Sequence, residues 1–328
     1  MSRRRGVVLG AGGFLGAAWM LGALAAVEDA TGWDARDADQ LVGTSAGSVL
    51  TALLRSGVSV NELYDAHNAE AVTERLTALP DAPAPSLRLD LSDEPCWPGL
   101  PQLGLGSVPL VMRAARTPLR LRPGALCAGL LPRGRRSLAR IQSMIDGAGP
   151  ISGWPDGTWV VAMNYHTGAR VAFGRDGSPT ASISQAVMAS CAVPAWYAPI
   201  RIEQVPYVDG GVCSPHNADL LIGEELDEVF VLAPMASLEP DQPRTPLIWL
   251  ERLWRRAATK RLHRELCALR ASGTQVTVLA PNATDLGVMG ANMMDPARSH
   301  EVMCSARGSV SARLAAGTAT DDVLTDAA

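Results

Sequence analysis

The chain has 328 residues, which suffices for one large or two modest globular domains and excludes a small disulfide-stapled module. Hydrophobic residues make up 47% of it and charged residues 19%, and this composition excludes wholesale disorder. With 29 basic and 33 acidic side chains the formal net charge is -4, which argues against a protein that binds nucleic acid through a global positive charge.

The first predicted elements surround a glycine-rich loop. Residues 6–9 are a short apolar run that predicts a strand, and residues 14–27, rich in Ala and Leu, predict a helix. The uncharged stretch 6–27 follows three arginines and therefore imitates a signal peptide or a membrane span. Because glycines cluster in its first half, we predict a strand, a tight loop and a helix instead.

A second strand, loop and helix follow. Residues 40–42 predict a strand and 48–54 a helix, and the loop between them reads Gly43-Thr44-Ser45-Ala46-Gly47. Glycine two positions before and after a serine is the pattern of a nucleophile elbow, a cramped turn that lifts the hydroxyl above the sheet. The dipole of the following helix favours developing negative charge at the serine. The pattern predicts that Ser45 is a nucleophile.

The next segment changes in character. Ser59 and Glu62 form a capping box that opens a helix predicted to reach about Leu79. Prolines then recur over about 80–150, and between positions 94 and 146 there are eight arginines but no Asp or Glu. We predict an insertion or lid. Three interpretations stay open for it: a cap over an apolar tunnel, a peripheral contact with anionic membrane, or a solvated arginine-rich loop.

Regular structure returns after residue 150. Residues 159–163 and 170–173 predict a hairpin, and 182–190 predict a helix. Two apolar runs, 229–233 and 276–280, are each typical of a buried strand in a sheet covered on both faces. The predicted fold is therefore one three-layer α/β/α domain over residues 1–328, with a mostly parallel central sheet and an extension of helix and strand from about residue 235.

An amphipathic helix is predicted over residues 248–269. Its predicted apolar positions are Ile248, Leu250, Leu253, Trp254, Ala257, Leu262, Leu266 and Leu269. The predicted basic face contains Arg252, Arg255, Arg256, Lys260 and Arg264. This face fits either a solvated surface or a contact with anionic lipid.

The first glycine loop allows three interpretations. A dinucleotide site needs glycine at the sixth position of its fingerprint, where this chain has Leu15. Alternatively, the amides of Gly12 and Gly13 at the head of the helix bind the oxyanion of a tetrahedral intermediate. The glycines would otherwise serve only a tight turn.

A serine nucleophile also needs a base. Five histidines are available, and each fits a solvated or structural role better than catalysis. A sharper candidate is Asp209, which ends the apolar run Tyr207-Val208 and precedes Gly210 and Gly211. These glycines allow the backbone to turn away and leave the carboxylate facing the site, although an ordinary Asp-Gly turn has the same pattern.

Three motifs in this order resemble the patatin-like phospholipases. They are Gly10-x-Gly12-Gly13-x-x-Gly16, Gly43-x-Ser45-x-Gly47 and Asp209-Gly210-Gly211. The resemblance extends to Ser190-x-Ala192-x-Pro194 and to Asn217. It implies a lipid acyl hydrolase with a Ser-Asp dyad, in which Ser45 is the nucleophile, Asp209 is the base and the first glycine loop is the oxyanion hole. The implied substrate is a lipid or another ester, and no cofactor is implied.

Two departures from the family pattern leave questions open. Phe14-Leu15 stands where the family usually has a basic residue after the glycines, and His216 lies close enough to Asp209 in the sequence to allow a triad. Acyl transfer, or lipid binding without turnover, would use the same fold. The six cysteines are scattered and lack metal-ligand spacing, which predicts a cytoplasmic protein without a metal site. The oligomeric state has no signature in the sequence.

Overall fold

The structure is a computed structural model that describes residues 3–67, 104–116, 122–149, 153–237, 239 and 246–317. The strands are β1 (Arg5–Leu9), β2 (Gln40–Thr44), β3 (Thr158–Asn164), β4 (Arg170–Phe173), β5 (Ile200–Ile202), β6 (Val205–Asp209), β7 (Glu228–Leu232) and β8 (Gln275–Leu279). The α-helices are α1 (Gly13–Thr31), α2 (Ala46–Arg55), α3 (Val60–His67), α4 (Val108–Arg116), α5 (Pro123–Leu130), α6 (Ala139–Gly147), α7 (Ile183–Cys191), α8 (Pro246–Ala271), α9 (Ala283–Met289) and α10 (Ser299–Ala315).

The strands form one mixed sheet in the order β5-β6-β3-β2-β1-β7-β8, with β4 paired to β3. The pairs β3-β2, β2-β1, β1-β7 and β7-β8 are parallel, whereas β4, β5 and β6 enter through antiparallel pairs. The mostly parallel central sheet predicted from the buried apolar runs is confirmed.

Helices cover both faces of this sheet. Successive residues of β1 belong to different cores: Val7 and Leu9 pack with α1, α2, α7 and α10, whereas Val8 packs with the buried leucines of α8. Neighbouring side chains on a strand point to opposite faces, so these two cores lie on opposite sides of the sheet. The three-layer arrangement is therefore the one predicted.

Helix α1 is apolar and long enough to cross a membrane by composition alone. In the structure residues 14–27 are buried, and α1 packs against α10. The two helices approach closely at Gly22, where a Cβ atom would lie 2.1 Å from the Met303 carbonyl oxygen. Burial inside the fold thus accounts for the apolar character of α1, as expected for a strand, loop and helix.

The predicted faces of α8 are partly wrong. Leu262, Leu266 and Leu269 are buried as expected, but Arg252 and Arg255 are buried too. Leu253 and Trp254, predicted to be buried, are among the exposed apolar side chains together with Trp249. The arginines lie inward because the Glu251 carboxylate pairs with both of them, so their charge is compensated away from water.

The predicted insertion is described from residue 104 onward, where it forms α4, α5 and α6. Its earlier part, including the predicted helix end at Leu79, lies outside the described residues. The capping box at the start of α3 is confirmed, since the Ser59 amide donates to Glu62 at 2.8 Å and the Glu62 amide donates to the Ser59 hydroxyl at 3.1 Å. Strand β5 and helices α9 and α10 were not predicted.

Candidate active site

Ser45 occupies the sharp turn between β2 and α2. Its φ angle is +52°, a left-handed conformation that a non-glycine residue adopts only when its surroundings enforce it. It directly precedes the first residue of α2 and is 7% exposed. The hydroxyl therefore stands at the positive end of a helix dipole, in the geometry of the predicted elbow.

Two glycines make this turn possible by allowing close backbone approach. A Cβ atom at Gly47 would lie 2.0 Å from the Leu9 carbonyl oxygen, and one at Gly43 would lie 2.6 Å from the Cα of Ser48. The Gly47 amide also donates to the Gly10 carbonyl at 3.2 Å. The elbow is thereby packed directly against the start of the first glycine loop.

The register of β3 explains how Asp209 comes to lie beside Ser45. On β3, Thr44 at the end of β2 pairs with Val161, and Asp209 at the end of β6 pairs with Ala162. Strand β4 pairs with residues 160–163 of β3 and so occupies one edge of that strand. Because each edge of a strand accepts one partner at a given position, β2 and β6 lie one after the other along the opposite edge. They approach it from opposite directions and meet with their carboxyl ends.

Asp209 is held in a site that favours its protonated form. The side chain is 5% exposed, and this burial raises its pKa to about 6. Hydrogen bonding with the Ser45 side chain, and an amide bond from Gly211 to Oδ1 at 2.7 Å, act in the opposite direction and lower the pKa. The result is a carboxylate that is ionised at neutral pH yet basic enough to accept a proton.

The two glycines after Asp209 lie in close contacts, and the one at Gly210 excludes any Cβ atom. A Cβ atom at Gly210 would lie 2.3 Å from the Val161 carbonyl oxygen. At Gly211 it would lie 3.2 Å from the Cβ of Ala11, in the first glycine loop. The Asp209 turn therefore packs against that loop on one side and against β3 on the other.

The first glycine loop contacts both the elbow and the Asp209 turn. The Gly10 amide donates to the Leu232 carbonyl at 3.0 Å and the Ala11 amide to the Pro215 carbonyl at 2.7 Å, so these two are engaged. Within the described part of the chain, the amides of Gly12 and Gly13 have no backbone acceptor. Both stand at the amino end of α1, where unsatisfied donors favour an anion.

Gly12 and Gly13 also have steric roles, whereas Gly16 does not. Gly13 has a φ angle of +60°, and a Cβ atom there would lie 2.8 Å from the Met294 sulfur. A Cβ atom at Gly12 would lie 2.9 Å from Pro234 Cγ, and one at Gly16 would make ordinary contact with the same proline at 3.4 Å. The loop is thus packed tightly on Pro234 and on the Met293-Met294 segment.

Ser190 holds the elbow in place, a role that the sequence analysis did not assign. Its Oγ accepts a hydrogen bond from the Ser45 amide at 2.8 Å and donates one to the Val161 carbonyl at 2.6 Å. Two residues later, the Ala192 carbonyl accepts the Asp209 amide at 3.0 Å. The end of α7 therefore fixes the backbone at both members of the candidate dyad. The motif shared with the family was the only signal for this role.

Arg255 is a second residue whose position was missed. Its fully buried guanidinium donates to the Pro234 carbonyl at 2.5 Å and to the Met293 sulfur at 3.3 Å. Pro234 packs against Gly12, and the Met293 carbonyl accepts the Leu15 amide at 3.1 Å. Arg255 therefore supports both segments on which the glycine loop rests.

His216 is not placed to complete a triad. It is fully buried, and neither ring nitrogen has a hydrogen-bond partner in the described part of the protein. Burial lowers its pKa to about 3, so the ring is neutral at physiological pH. The hydrogen bonds that Asp209 makes come from Ser45 and Gly211.

A cleft of about 820 Å³ lies elsewhere, at the amino ends of β2 and β3, and is lined by residues that include Gln40, Trp154, Trp159 and Arg175. Ligands of open α/β sheets bind at the carboxyl ends of the strands, where Ser45 and Asp209 lie, so we do not place the active site in this cleft. Among the described residues, no group of three His, Cys, Asp or Glu side chains is arranged to hold a metal ion.

Similarity to known proteins indicates the family of this chain. No curated protein matches the sequence. Among solved structures, the crystal structure of VipD from Legionella pneumophila matches over 96% of this chain and 67% of that chain, with 12% sequence identity and a TM-score of 0.40. A model of the patatin-like phospholipase family matches residues 7–222, a span that is more than half of the chain and includes both glycine loops, Ser45 and Asp209. The chain therefore belongs to the patatin-like phospholipase family.

Proposed function

We propose that the protein is a serine acyl hydrolase that cleaves carboxylic ester bonds of lipids, with Ser45 as nucleophile and Asp209 as general base. The family supports lipid acyl hydrolase activity in general. One observation supports the specific dyad: a serine in a strained turn hydrogen-bonds with a buried carboxylate whose pKa is raised to about 6. A base with a pKa near neutrality combines ionisation with useful proton affinity.

In the proposed reaction, Ser45 Oγ attacks the ester carbonyl carbon while its proton passes to Asp209. The carbonyl oxygen becomes an oxyanion, which the amides of Gly12 and Gly13 stabilise. Collapse of this intermediate breaks the ester C–O bond, and the departing alcohol takes the proton from Asp209. Water then attacks the acyl-enzyme, delivers a proton to Asp209 and releases the fatty acid, after which the proton returns to Ser45.

The dyad is tested by hydrolysis of a chromogenic acyl ester together with labelling by a fluorophosphonate probe. Ser45→Ala is expected to abolish both, and Asp209→Asn is expected to reduce both by several orders of magnitude. Ser56→Ala, at the far end of α2, is the matched control and retains wild-type rates. Hydrolysis by folded Ser45→Ala at the wild-type rate would disprove the assignment. Product analysis with an added alcohol separates hydrolysis from acyl transfer.

We also propose that α4 and α5 cap the site and contact anionic membrane. Their region exposes a group of large apolar side chains: Leu105, Val108, Met112, Leu126, Leu130 and Leu131. No Asp or Glu occurs from 104 to 145, whereas eight arginines do. A Cβ atom at Gly124 in α5 would lie 2.4 Å from the Val212 carbonyl, so this region packs on the turn that follows Asp209. Apolar side chains beside arginines suit an anionic lipid surface.

Membrane contact is measured by co-sedimentation with phosphatidylcholine vesicles, with and without phosphatidylglycerol. Charge reversal at Arg133, Arg135 and Arg136 is expected to remove the part of binding that depends on phosphatidylglycerol. Arg201→Glu, on β5, serves as the control for reversing a single exposed arginine outside this region. Unchanged binding after the triple reversal would contradict the proposed contact.

A further inference from the structure

Two tryptophans and a leucine are exposed on the first turns of α8. Trp249, Leu253 and Trp254, which we call the tryptophan patch, are 53%, 38% and 65% exposed. Trp249 and Leu253 are four residues apart and lie on the same face of the helix, and Trp254 flanks that face. A single exposed apolar side chain is ordinary, but two tryptophans so close together indicate a surface that meets an apolar environment.

The exposed side of α8 is also cationic. The two acidic residues of this helix point inward: the Glu251 side chain is 8% exposed and pairs with two arginines, and the Glu265 side chain is 2% exposed. Arg256, Lys260 and Arg264 follow the tryptophan patch along the helix and are exposed. The outer side of α8 therefore combines large apolar side chains with positive charge.

The tryptophan patch lies at the edge of the sheet that carries Ser45. Helix α8 follows the carboxyl end of β7 and leads to the amino end of β8, and these strands are parallel, so its first turns lie at the carboxyl-end edge. Arg255, the neighbour of Trp254, donates to the Pro234 carbonyl at 2.5 Å. Pro234 in turn packs against Gly12 of the first glycine loop. The inner side of the same helix turn is thus connected to this loop by direct contacts.

A lipid surface fits the tryptophan patch better than a second copy of this chain. A two-fold contact through this side of α8 would bring Arg256, Lys260 and Arg264 of both copies together, and like charges oppose such a contact. Tryptophan favours the boundary between an apolar and an aqueous phase, because its ring is apolar and its N–H is polar. Basic residues beside such a ring are attracted to anionic headgroups.

We propose that the tryptophan patch inserts into the interface of an anionic lipid bilayer, with Arg256 and Lys260 against the headgroups, and holds the carboxyl-end edge of the sheet at the lipid surface. This inference rests on the proposed function, because a hydrolase of membrane lipids must reach esters that lie in a bilayer. It adds a surface on α8, with its own residues and its own test, to the contact proposed for α4 and α5.

The first experiment measures binding without turnover. The vesicles contain ether-linked phosphatidylcholine and phosphatidylglycerol, which have no carboxylic ester to cleave, and bound protein is separated by co-sedimentation. Trp249→Ala and Trp254→Ala are each expected to weaken partitioning about tenfold, because each variant loses the burial of a large aromatic side chain. Ile222→Ala, which removes a 40% exposed apolar side chain from the segment before β7, is the control and binds as the wild type does. Equal binding by a Trp249→Ala, Trp254→Ala double variant would overturn the proposal.

The second experiment locates the tryptophans by fluorescence. The same vesicles with bromine on the lipid chains are expected to quench part of the wild-type tryptophan emission. Trp249→Phe combined with Trp254→Phe keeps two apolar rings but removes the fluorophores, so the quenched part should disappear. Trp154→Phe, in the cleft at the amino ends of the strands, is the matched control and should retain it. Quenching that persists undiminished in the double Phe variant would place the patch outside the bilayer and overturn the proposal.

The third experiment tests the charges. Arg256→Gln and Lys260→Gln are each expected to weaken binding to vesicles with phosphatidylglycerol about fivefold, and to leave binding to pure phosphatidylcholine unchanged. An equal loss on both kinds of vesicle would contradict contact with anionic headgroups.

The remaining outcomes separate this inference from the proposed function. If the tryptophan patch instead binds an acidic protein, vesicles will not quench Trp249 or Trp254, and the proposal fails. If the tryptophans are quenched but the protein cleaves no ester and resists the fluorophosphonate probe, the proposed function fails and the membrane contact remains. If the protein hydrolyses esters without such quenching, the membrane contact of α8 alone fails.

Discussion

Burial of the Asp209 carboxylate makes its charge less favourable in the folded protein than in the unfolded chain. Removal of the charge should therefore stabilise the protein. We predict that Asp209→Asn, which abolishes the proposed base, raises the free energy of unfolding at pH 8. Asparagine has nearly the same shape, and its Oδ1 can still accept the Gly211 amide that now bonds to the carboxylate at 2.7 Å. The substitution therefore removes a buried charge and keeps the Gly211 bond, while its Nδ2 can donate to Ser45 Oγ in place of the hydrogen bond that the carboxylate makes with that side chain.

The magnitude follows from the pKa. Burial raises the pKa of Asp209 from 3.8 to about 6 in the folded protein. A group whose pKa is raised on folding contributes stability below its unfolded pKa and loses that contribution as the pH rises through its folded pKa. Ionisation of Asp209 therefore lowers the free energy of unfolding of the wild type by about 3 kcal/mol at pH 8 and by about half of that at pH 5. The advantage of Asp209→Asn over wild type should therefore roughly halve between pH 8 and pH 5.

The assay is urea unfolding of both proteins at pH 5 and pH 8. His216 also titrates in the acid range, but it is present in both proteins and its contribution cancels. Asp219→Asn is the control for the sign: partial burial opposes ionisation of Asp219, but ion pairing with Arg170 outweighs it and lowers the pKa, so this variant should lose stability, and by nearly the same amount at pH 5 and pH 8 because both lie above the ordinary pKa of Asp. If Asp209→Asn were less stable than wild type at pH 8, or its advantage were equal at both pH values, the buried-base explanation would be refuted.

Three further predictions concern the same site. The kcat/KM of the wild type should fall about tenfold per pH unit below an apparent pKa near 6, because Asp209 must be ionised; a pH profile flat down to pH 4 would contradict this. Ser190→Ala should lower kcat about tenfold and the free energy of unfolding by about 2 kcal/mol, because it orphans a buried amide and a carbonyl; kinetics and urea unfolding measure both. Gly47→Ala should destabilise by more than about 3 kcal/mol through its backbone clash, whereas Gly308→Ala, in open space on α10, should stabilise by up to about 1 kcal/mol; equal melting temperatures would disprove the steric reason.

The elbow and the Asp209 turn were predictable from the sequence because both need glycine at particular positions. Gly47 must approach the Leu9 carbonyl, and Gly210 must approach that of Val161, more closely than any Cβ atom permits. Only glycine can make such contacts. The steric requirement therefore appears in the sequence as a glycine at a fixed spacing from the serine or the aspartate. The strand, loop and helix units were predictable for the same reason, since apolar runs flank these glycines.

The support around the dyad was not predictable, because it depends on partners far away in the sequence. Ser190 lies near the end of a helix, and nothing local shows that its hydroxyl accepts the Ser45 amide. The prediction of the buried and exposed faces of α8 was partly wrong for a different reason. Periodicity assigns charged residues to solvent, but the Glu251 carboxylate and backbone carbonyls such as that of Pro234 satisfy Arg255 inside the protein.

The meeting of β2 and β6 at one edge of β3 explains how the proposed chemistry works without a histidine. A carboxylate with the ordinary pKa of Asp is too weak a base to take a serine proton efficiently at neutral pH, and a histidine usually fills that role because its own pKa is near 6.5. Here burial raises the pKa of Asp209 to about 6, so desolvation supplies the basicity that a histidine would otherwise provide. Helix α5 packs on the turn that follows Asp209. In the proposed mechanism, any displacement of this segment that hydrated the carboxylate would lower its pKa and weaken the base, so the solvation of this one side chain would set the strength of the base.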